Sequence, residues 1–174
     1  MDGQSMDDND CLAKRFDYSR PHLRTVALRM LGSPGEADAA VQESWLKVSR
    51  SDTGGVENLA GWLTTVVARV CLDMLRSSRA RGEQPLGAAA DALPAGPTPE
   101  TEVAFAAAIG PTLLVVLNML APQERVAFVL HDMFDLSFEE IAPIVERTPA
   151  AARQLASRAR RRVRGAAAPP TDVA

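Results

Sequence analysis

The sequence predicts an all-α protein: two small helical domains joined by a flexible linker. Three observations carry this. Apolar residues recur at helical spacing on both sides of the chain's middle, with no convincing run of strand-like alternation. Most of these periodic segments open on a capping residue, a proline or both. Between the two blocks lies "GEQPLGAAADALPAGPTPE", residues 82–100, which has no apolar period and is rich in Pro, Gly and Ala.

The first block, residues 12–81, reads as three helices. Residues 16–31 carry Phe16, Leu23, Ala27, Met30 and Leu31 at broadly helical spacing. The second helix starts in "SPGEADAAVQESWLKV": Ser33 suits the N-cap, Pro34 the first helical position, and Glu36 the third position of a capping box. Ala37, Val41, Trp45 and Val48 then fall on one face. A polar, glycine-containing loop, "SRSDTGGVEN", ends at Asn58, a good N-cap for the third helix. There Leu59, Leu63, Val66, Val67, Val70 and Met74 belong to a wide apolar stripe, with Arg69 and Arg76 seven apart on the other side.

The second block, residues 101–165, begins with "TEVAFAAAI", breaks at Gly110-Pro111 and resumes with "TLLVVLNML". Pro122 opens a helix whose Val126, Val129, Leu130 and Met133 give the i, i+3, i+4, i+7 pattern. Ser137 and Glu140 form the next capping box, and Thr148-Pro149 is the last start signal. Residues 166–174, "AAAPPTDVA", are expected to fray into a disordered tail.

Composition excludes several classes. The chain is 47% apolar and 24% charged with a formal net charge of −3, ordinary values for a globular protein. Nothing approaches the ~18 consecutive apolar residues of a membrane span, and the acidic N-terminus has no apolar signal core. No membrane insertion is expected. Cys11 and Cys71, like His22 and His131, are scattered and show no zinc spacing, so we expect no metal, no cofactor and a reduced, cytoplasmic chain. His131 and Cys71 read as packing residues, and Trp45 and Trp62, on apolar stripes, as core. There is no phosphate loop, no dinucleotide fingerprint and no nucleophile–base pair, so the chain is not read as an enzyme.

Against the acidic total, residues 149–165 hold six arginines and no acid. The segment from Phe138 to Leu155 has helix-turn-helix spacing. Ile141, Ala142, Val145, Ala152 and Leu155 stand where two short helices cross, and Ala142 must be small for close approach. On the second helix Ala152, Leu155, Ala159 and Val163 face inward, leaving Arg153, Gln154, Ser157, Arg158 and Arg161 outward. Such a helix fits the major groove, where Arg reads guanine, Gln reads adenine and further arginines neutralise phosphates. Two features depart from the usual pattern. Pro143 lies inside the first helix, and Glu146 occupies the turn position where glycine often supplies positive φ.

With both blocks in view, the chain resembles bacterial RNA polymerase sigma factors of the extracytoplasmic-function group. The likeness rests on "EADAAVQESWLKV" with "NLAGWLTTVVARVCLDMLR", similar to the family's region 2. It rests equally on "LAPQERVAFVLHDMFDLSFEEIAPIVERTPAAARQLASRARRRVR", similar to region 4. The second block is most like the subgroup that usually adds a C-terminal SnoaL-like domain, which is absent from this sequence.

The resemblance implies roles. Region 2 would bind the clamp helices of the polymerase β′ subunit through Asp38, Gln42 and Glu43, with Ala39 standing where the family commonly has Asp. The same region would hold the opened −10 element through the loop ending at Asn58 and through Arg69, Arg76 and Arg79. Arg69 also stands one turn before Asp73, an i, i+4 ion pair as its alternative use. Region 4 would read the −35 element through Arg153, Gln154, Ser157, Arg158 and Arg161 and meet the β flap. The linker would thread the polymerase between them. An anti-sigma factor is a further implied partner, docking on apolar grooves of both blocks. Acidic stretches at residues 1–10 and 83–102 would discourage wandering on non-specific DNA. The competing reading is a helix-turn-helix regulator that binds operators without polymerase; it leaves the Gln42/Glu43 helix unexplained.

Overall fold

A computed structural model describes residues 2–51, 56–81 and 116–167. The expected linker at 82–100, the segments 101–115, the centre of the 49–58 loop and the tail from 168 lie outside the described residues. Among those described, every regular element is helical. They are α1 (Asp2–Leu31), α2 (Pro34–Ser49), α3 (Leu59–Ala80), α4 (Pro122–Phe128), a π-helical turn (Val129–Met133), α5 (Phe138–Val145) and α6 (Pro149–Ala167).

Each start obeys its capping chemistry. Ser33 Oγ accepts from the Glu36 amide at 3.4 Å, Asn58 Oδ1 from Gly61 at 3.2 Å, and Thr148 Oγ1 from Ala151 at 3.1 Å. Ser137 closes a full capping box: it accepts from the Glu140 amide at 3.2 Å and donates to the Glu140 carboxylate at 3.0 Å. A Cβ on Gly61 would meet the Asn58 side-chain nitrogen at 2.7 Å, so a larger residue there would have to displace the capping side chain. Gly32 ends α1 at φ +75°, a conformation only glycine adopts without strain.

Two helices differ from the sequence expectation. α1 starts at Asp2 rather than near residue 16. The helix opened by Pro122 does not run on as α: after Phe128 it widens into the π-helical turn, and Leu136 N–H reaches back to Leu130 C=O at 3.0 Å.

α1, α2 and α3 pack as a three-helix bundle around Leu23, Met30, Val48, Leu63 and Val67, with Phe16 tilted against Trp45 at 5.1 Å. α4, α5 and α6 form the second module around Val126, Leu130, Ile141, Ala152 and Ala156. The two modules share one continuous core. α4 and α5 lie against α3, and the π turn lies against α1.

Candidate nucleic-acid interface

The helix-turn-helix forms as its spacing predicts. Ala142, Ala152, Ala156 and Ala159 are buried where the helices cross, small side chains that permit close approach. Ala156 was missed by the sequence reading, which assigned inward positions strictly from Ala152. Pro143 is tolerated within α5 and is solvent-exposed. Glu146 ends α5 in the left-handed region at φ 57°, ψ 45°, supplying without glycine the conformation the turn requires.

Outward on α6, Arg153, Gln154, Arg158 and Arg161 are exposed, and Ser157 is half-buried. The Arg153 guanidinium lies 5.3 Å from the Phe138 ring centroid, which orients it without removing it from solvent. Arg160 behaves differently. It donates twice to Asp132, at 2.9 and 2.7 Å, and this bond raises its pKa. It ties α6 to the π turn, so its charge belongs to the scaffold. His131, in that turn, stacks on Phe138 at 4.1 Å and its Nδ1 lies 2.9 Å from Leu136 C=O, a packing role as expected.

The α3 residues are placed less simply. Asn58 caps the helix. Arg76 is half-buried, and Arg69 and Arg79 are exposed but engaged. Arg69 Nη2 donates to the Pro143 carbonyl at 2.8 Å, a partner other than Asp73, which the sequence offered as an alternative to DNA. The reason lies in α5. Its left-handed end sends both the Glu146 and Arg147 amides to Ala142 C=O, leaving Pro143 C=O an orphan at a helix C-terminus. Arg79 Nη1 likewise donates to Leu120 C=O at 3.3 Å, just before the α4 cap. Both arginines therefore hold the second module against the first.

The centre of that junction is Arg125 of α4, only 2% exposed. Its Nη1 donates to Asn118 Oδ1 at 2.7 Å, and its Nη2 would stand 3.5 Å from a Cβ on Gly32. Burial pushes its pKa down to about 10, opposed by the charge of Glu36. Burial pushes the neighbouring Cys71 thiol up to about 12, opposed by Arg125. The chemistry is structural: a buried cation bridging α1, α3 and the second module. Phe134 completes the junction, edge-on to His22 at 5.8 Å and beneath the Arg29 guanidinium at 5.5 Å. Arg125 could have been singled out as the one basic residue inside "RVAFVL"; nothing in the sequence marks Phe134.

On α2, Asp38, Gln42 and Glu43 are exposed together. Asp38 accepts from Arg24 Nε at 2.8 Å and is anchored to α1, whereas Glu43 lines an open groove of about 340 Å³ with Lys47, Asp73 and Arg81. Among the described residues no cluster of side chains suits a metal ion. Cys11 is exposed and Cys71 buried, both as free thiols. Among these residues no helix is long and apolar enough to cross a membrane.

Family models match both modules: "Sigma-70 region 2" over residues 16–81 and "Sigma-70, region 4" over residues 112–163. This chain belongs to the extracytoplasmic-function group of the sigma-70 family. The first bundle is its region 2 and the helix-turn-helix module its region 4. The chain is 43% identical to the ECF RNA polymerase sigma factor SigJ of Mycobacterium tuberculosis over 159 residues, covering 85% of this chain and 48% of SigJ. It is 35% identical to the probable ECF RNA polymerase sigma factor SigI of that organism over 162 residues, covering 91% of this chain and 56% of SigI. The chain thus spans about half the length of these curated relatives. The crystal structure of SigJ superposes with a TM-score of 0.61 at 35% identity, over 87% of this chain and 53% of SigJ. The sigma factor RpoE from Bartonella quintana, solved with the anti-sigma factor NepR, gives 0.58 at 21% identity over 89% and 95% of the two chains, a likeness of fold.

Proposed function

We propose that this chain is a promoter-specificity subunit: it binds core RNA polymerase and directs initiation by reading −10 and −35 elements. The observation that carries the reading is the pairing of a region 2 bundle with a region 4 helix that keeps Arg153, Gln154, Arg158 and Arg161 in solvent. Their types and spacing suit base edges and phosphates of the −35 major groove. The exposed Gln42 and Glu43, with Asp38 behind them, are the surface offered to the β′ clamp helices, and region 4 meets the β flap. Asn58, Arg69, Arg76 and Arg79 face the −10 element. Such work takes place in the cytoplasm, on the chromosome, without enzymatic chemistry or a cofactor of its own. An anti-sigma partner fits the same picture: RpoE, a neighbour in fold, was solved with the anti-sigma factor NepR.

The geometry adds a requirement. Positions −35 and −10 lie about 85 Å apart along B-form DNA, at ~3.4 Å per base pair. A compact chain of this length has a radius of gyration of only ~16 Å. With Arg69 and Arg79 bonded to region 4, the two modules cannot reach both elements at once, so promoter reading requires them to part.

The test is run-off transcription with purified core polymerase and this chain on fragments upstream of its own gene. New discrete start sites support the reading, and their upstream sequences give both motifs. Absence of initiation combined with specific duplex binding by the chain alone would replace it with the operator-binding regulator.

A further inference from the structure

Tyr18 is 89% exposed, the most exposed large side chain among the described residues with apolar character. A tyrosine ring left in water gives up the burial that normally recommends it. It stands on a defined surface. Cys11, Lys14, Arg15 and Tyr18 fall along one stripe of α1, and the first turn of α3, at Leu59 and Ala60, forms the opposite wall. The open groove between them has a volume of about 410 Å³ and a mainly apolar lining, and among the described residues no acidic side chain lines it. Of the acids beside this stripe, Asp17 is turned to Arg20 at 3.1 Å, and the exposed Asp10, one turn before Lys14, is not part of the groove lining. Lys14 and Arg15 are exposed.

An aromatic face, two cations beside it and an apolar floor are the parts of a single-stranded nucleic-acid platform: the ring stacks a base and the cations hold its flanking phosphates. A protein segment would use the apolar floor but would leave two like charges uncompensated unless it were acidic. The groove is also continuous with Asn58, whose capped helix turn supplies its far wall. We propose that this groove receives the displaced single strand of the opened promoter, one base stacked on Tyr18 and the adjoining phosphates on Lys14 and Arg15. None of these residues is among those the family resemblance assigns to DNA. The proposal rests on the sigma-factor reading and extends it to a surface on α1.

The experiment uses holoenzyme assembled from core polymerase and the full chain, on a promoter where the wild-type chain initiates. Two readouts are taken: the lifetime of heparin-resistant open complexes, and quenching of 2-aminopurine placed singly across the opened strand. Tyr18→Ala is expected to shorten the lifetime by roughly 5- to 150-fold, the range given by loss of one base–aromatic stack, and to abolish quenching at one position. Tyr18→Phe, which keeps the ring, is expected to retain both. Because Tyr18 is exposed, the melting temperature of the Ala variant should match wild type, which separates loss of contact from loss of fold. Unchanged lifetime and quenching in Tyr18→Ala would overturn the groove while leaving the sigma reading intact. Weakened binding to core polymerase, with normal lifetimes once bound, would also overturn it and make the groove a protein contact. Failure of the wild-type holoenzyme to initiate anywhere would overturn the underlying reading and this proposal with it.

Discussion

Replacing Phe134 by alanine should loosen the junction between the two modules without touching a residue assigned to DNA or polymerase. Phe134 follows the π turn of region 4, yet its ring meets His22 edge-on at 5.8 Å and lies 5.5 Å from the Arg29 guanidinium, both on α1 of region 2. Only contacts that cross the junction bias the equilibrium between joined and parted modules; contacts within region 4 survive in both states. An aromatic pair contributes ~0.5–1.5 kcal/mol and a partly exposed cation–π contact ~0.5–1 kcal/mol. Their loss shifts the equilibrium toward separation by roughly 5- to 70-fold. Small-angle scattering should show the radius of gyration rising above the ~16 Å of a compact chain. If only the parted form engages polymerase, apparent affinity for core enzyme should tighten by up to the same factor, as long as the joined form dominates in wild type. A Phe134→Ala chain that melts several degrees earlier, with unchanged dimensions and polymerase affinity, would refute this reasoning. Phe134 would then serve only the region 4 core.

Four further outcomes are expected. Arg153→Ala and Arg158→Ala should each reduce −35-dependent initiation by about 5- to 150-fold, the value of one bidentate base contact, with co-elution on core polymerase intact. Gln42→Ala with Glu43→Ala should abolish that co-elution; Asp38 is left alone because it anchors to Arg24. The Cys71 thiol, held up to about 12 by burial, stays protonated in the fold, whereas the unfolded thiol ionises above ~8.5. Stability is therefore complete below pH 8 and should fall as pH rises from 9 to 10, by up to ~1.4 kcal/mol per unit, a slope that Cys71→Ala removes from urea midpoints. The window stops at 10 because Arg125, whose pKa is lowered to about 10, contributes with opposite sign above it. Finally, Glu146→Val should cost ~1–2 kcal/mol at φ 57°, whereas Glu146→Gly should be neutral or stabilising by up to ~1 kcal/mol, again read from urea midpoints.

Helix starts were legible because their chemistry is local. Ser33, Asn58, Ser137 and Thr148 each satisfy an amide three residues on, and a reader of sequence needs only that span. The helix-turn-helix was legible for the same reason, since Ala142 and Ala152 are brought together by adjacent helices. The π turn was not. It coincides with contacts, His131 on Phe138 and Arg160 on Asp132, that link residues 7 and 28 apart. Apolar periodicity at 129–133 is the same for an α turn and a wider one at this length. The junction was least legible of all. Arg69 and Pro143 are 74 positions apart, and α3 reads as an ordinary amphipathic helix whether or not anything covers it.

That junction changes what an arginine at position 69 or 79 means. In the joined form each guanidinium satisfies a backbone carbonyl that the local fold has left without an amide: Pro143 because α5 ends left-handed, Leu120 because it lies just outside the α4 N-cap, Ala121. A carbonyl is a neutral acceptor; a phosphate is an anionic one, and charge-assisted hydrogen bonds are roughly twice as strong. On the proposed promoter reading, parting the modules would give up two modest bonds and free the same donors for phosphates. Arg125 acts with both signs: the Glu36 charge on α2 favours it in place, whereas its burial favours release. It carries a positive charge buried to 2% exposure with Nε and Nη2 lacking acceptors among the described residues, and separation returns it to water. The apolar contacts of α3 with α4 and α5 oppose these terms and favour the joined form. On the proposed promoter reading, closure and DNA contact would compete for Arg69 and Arg79, which would couple opening to DNA without any additional switch.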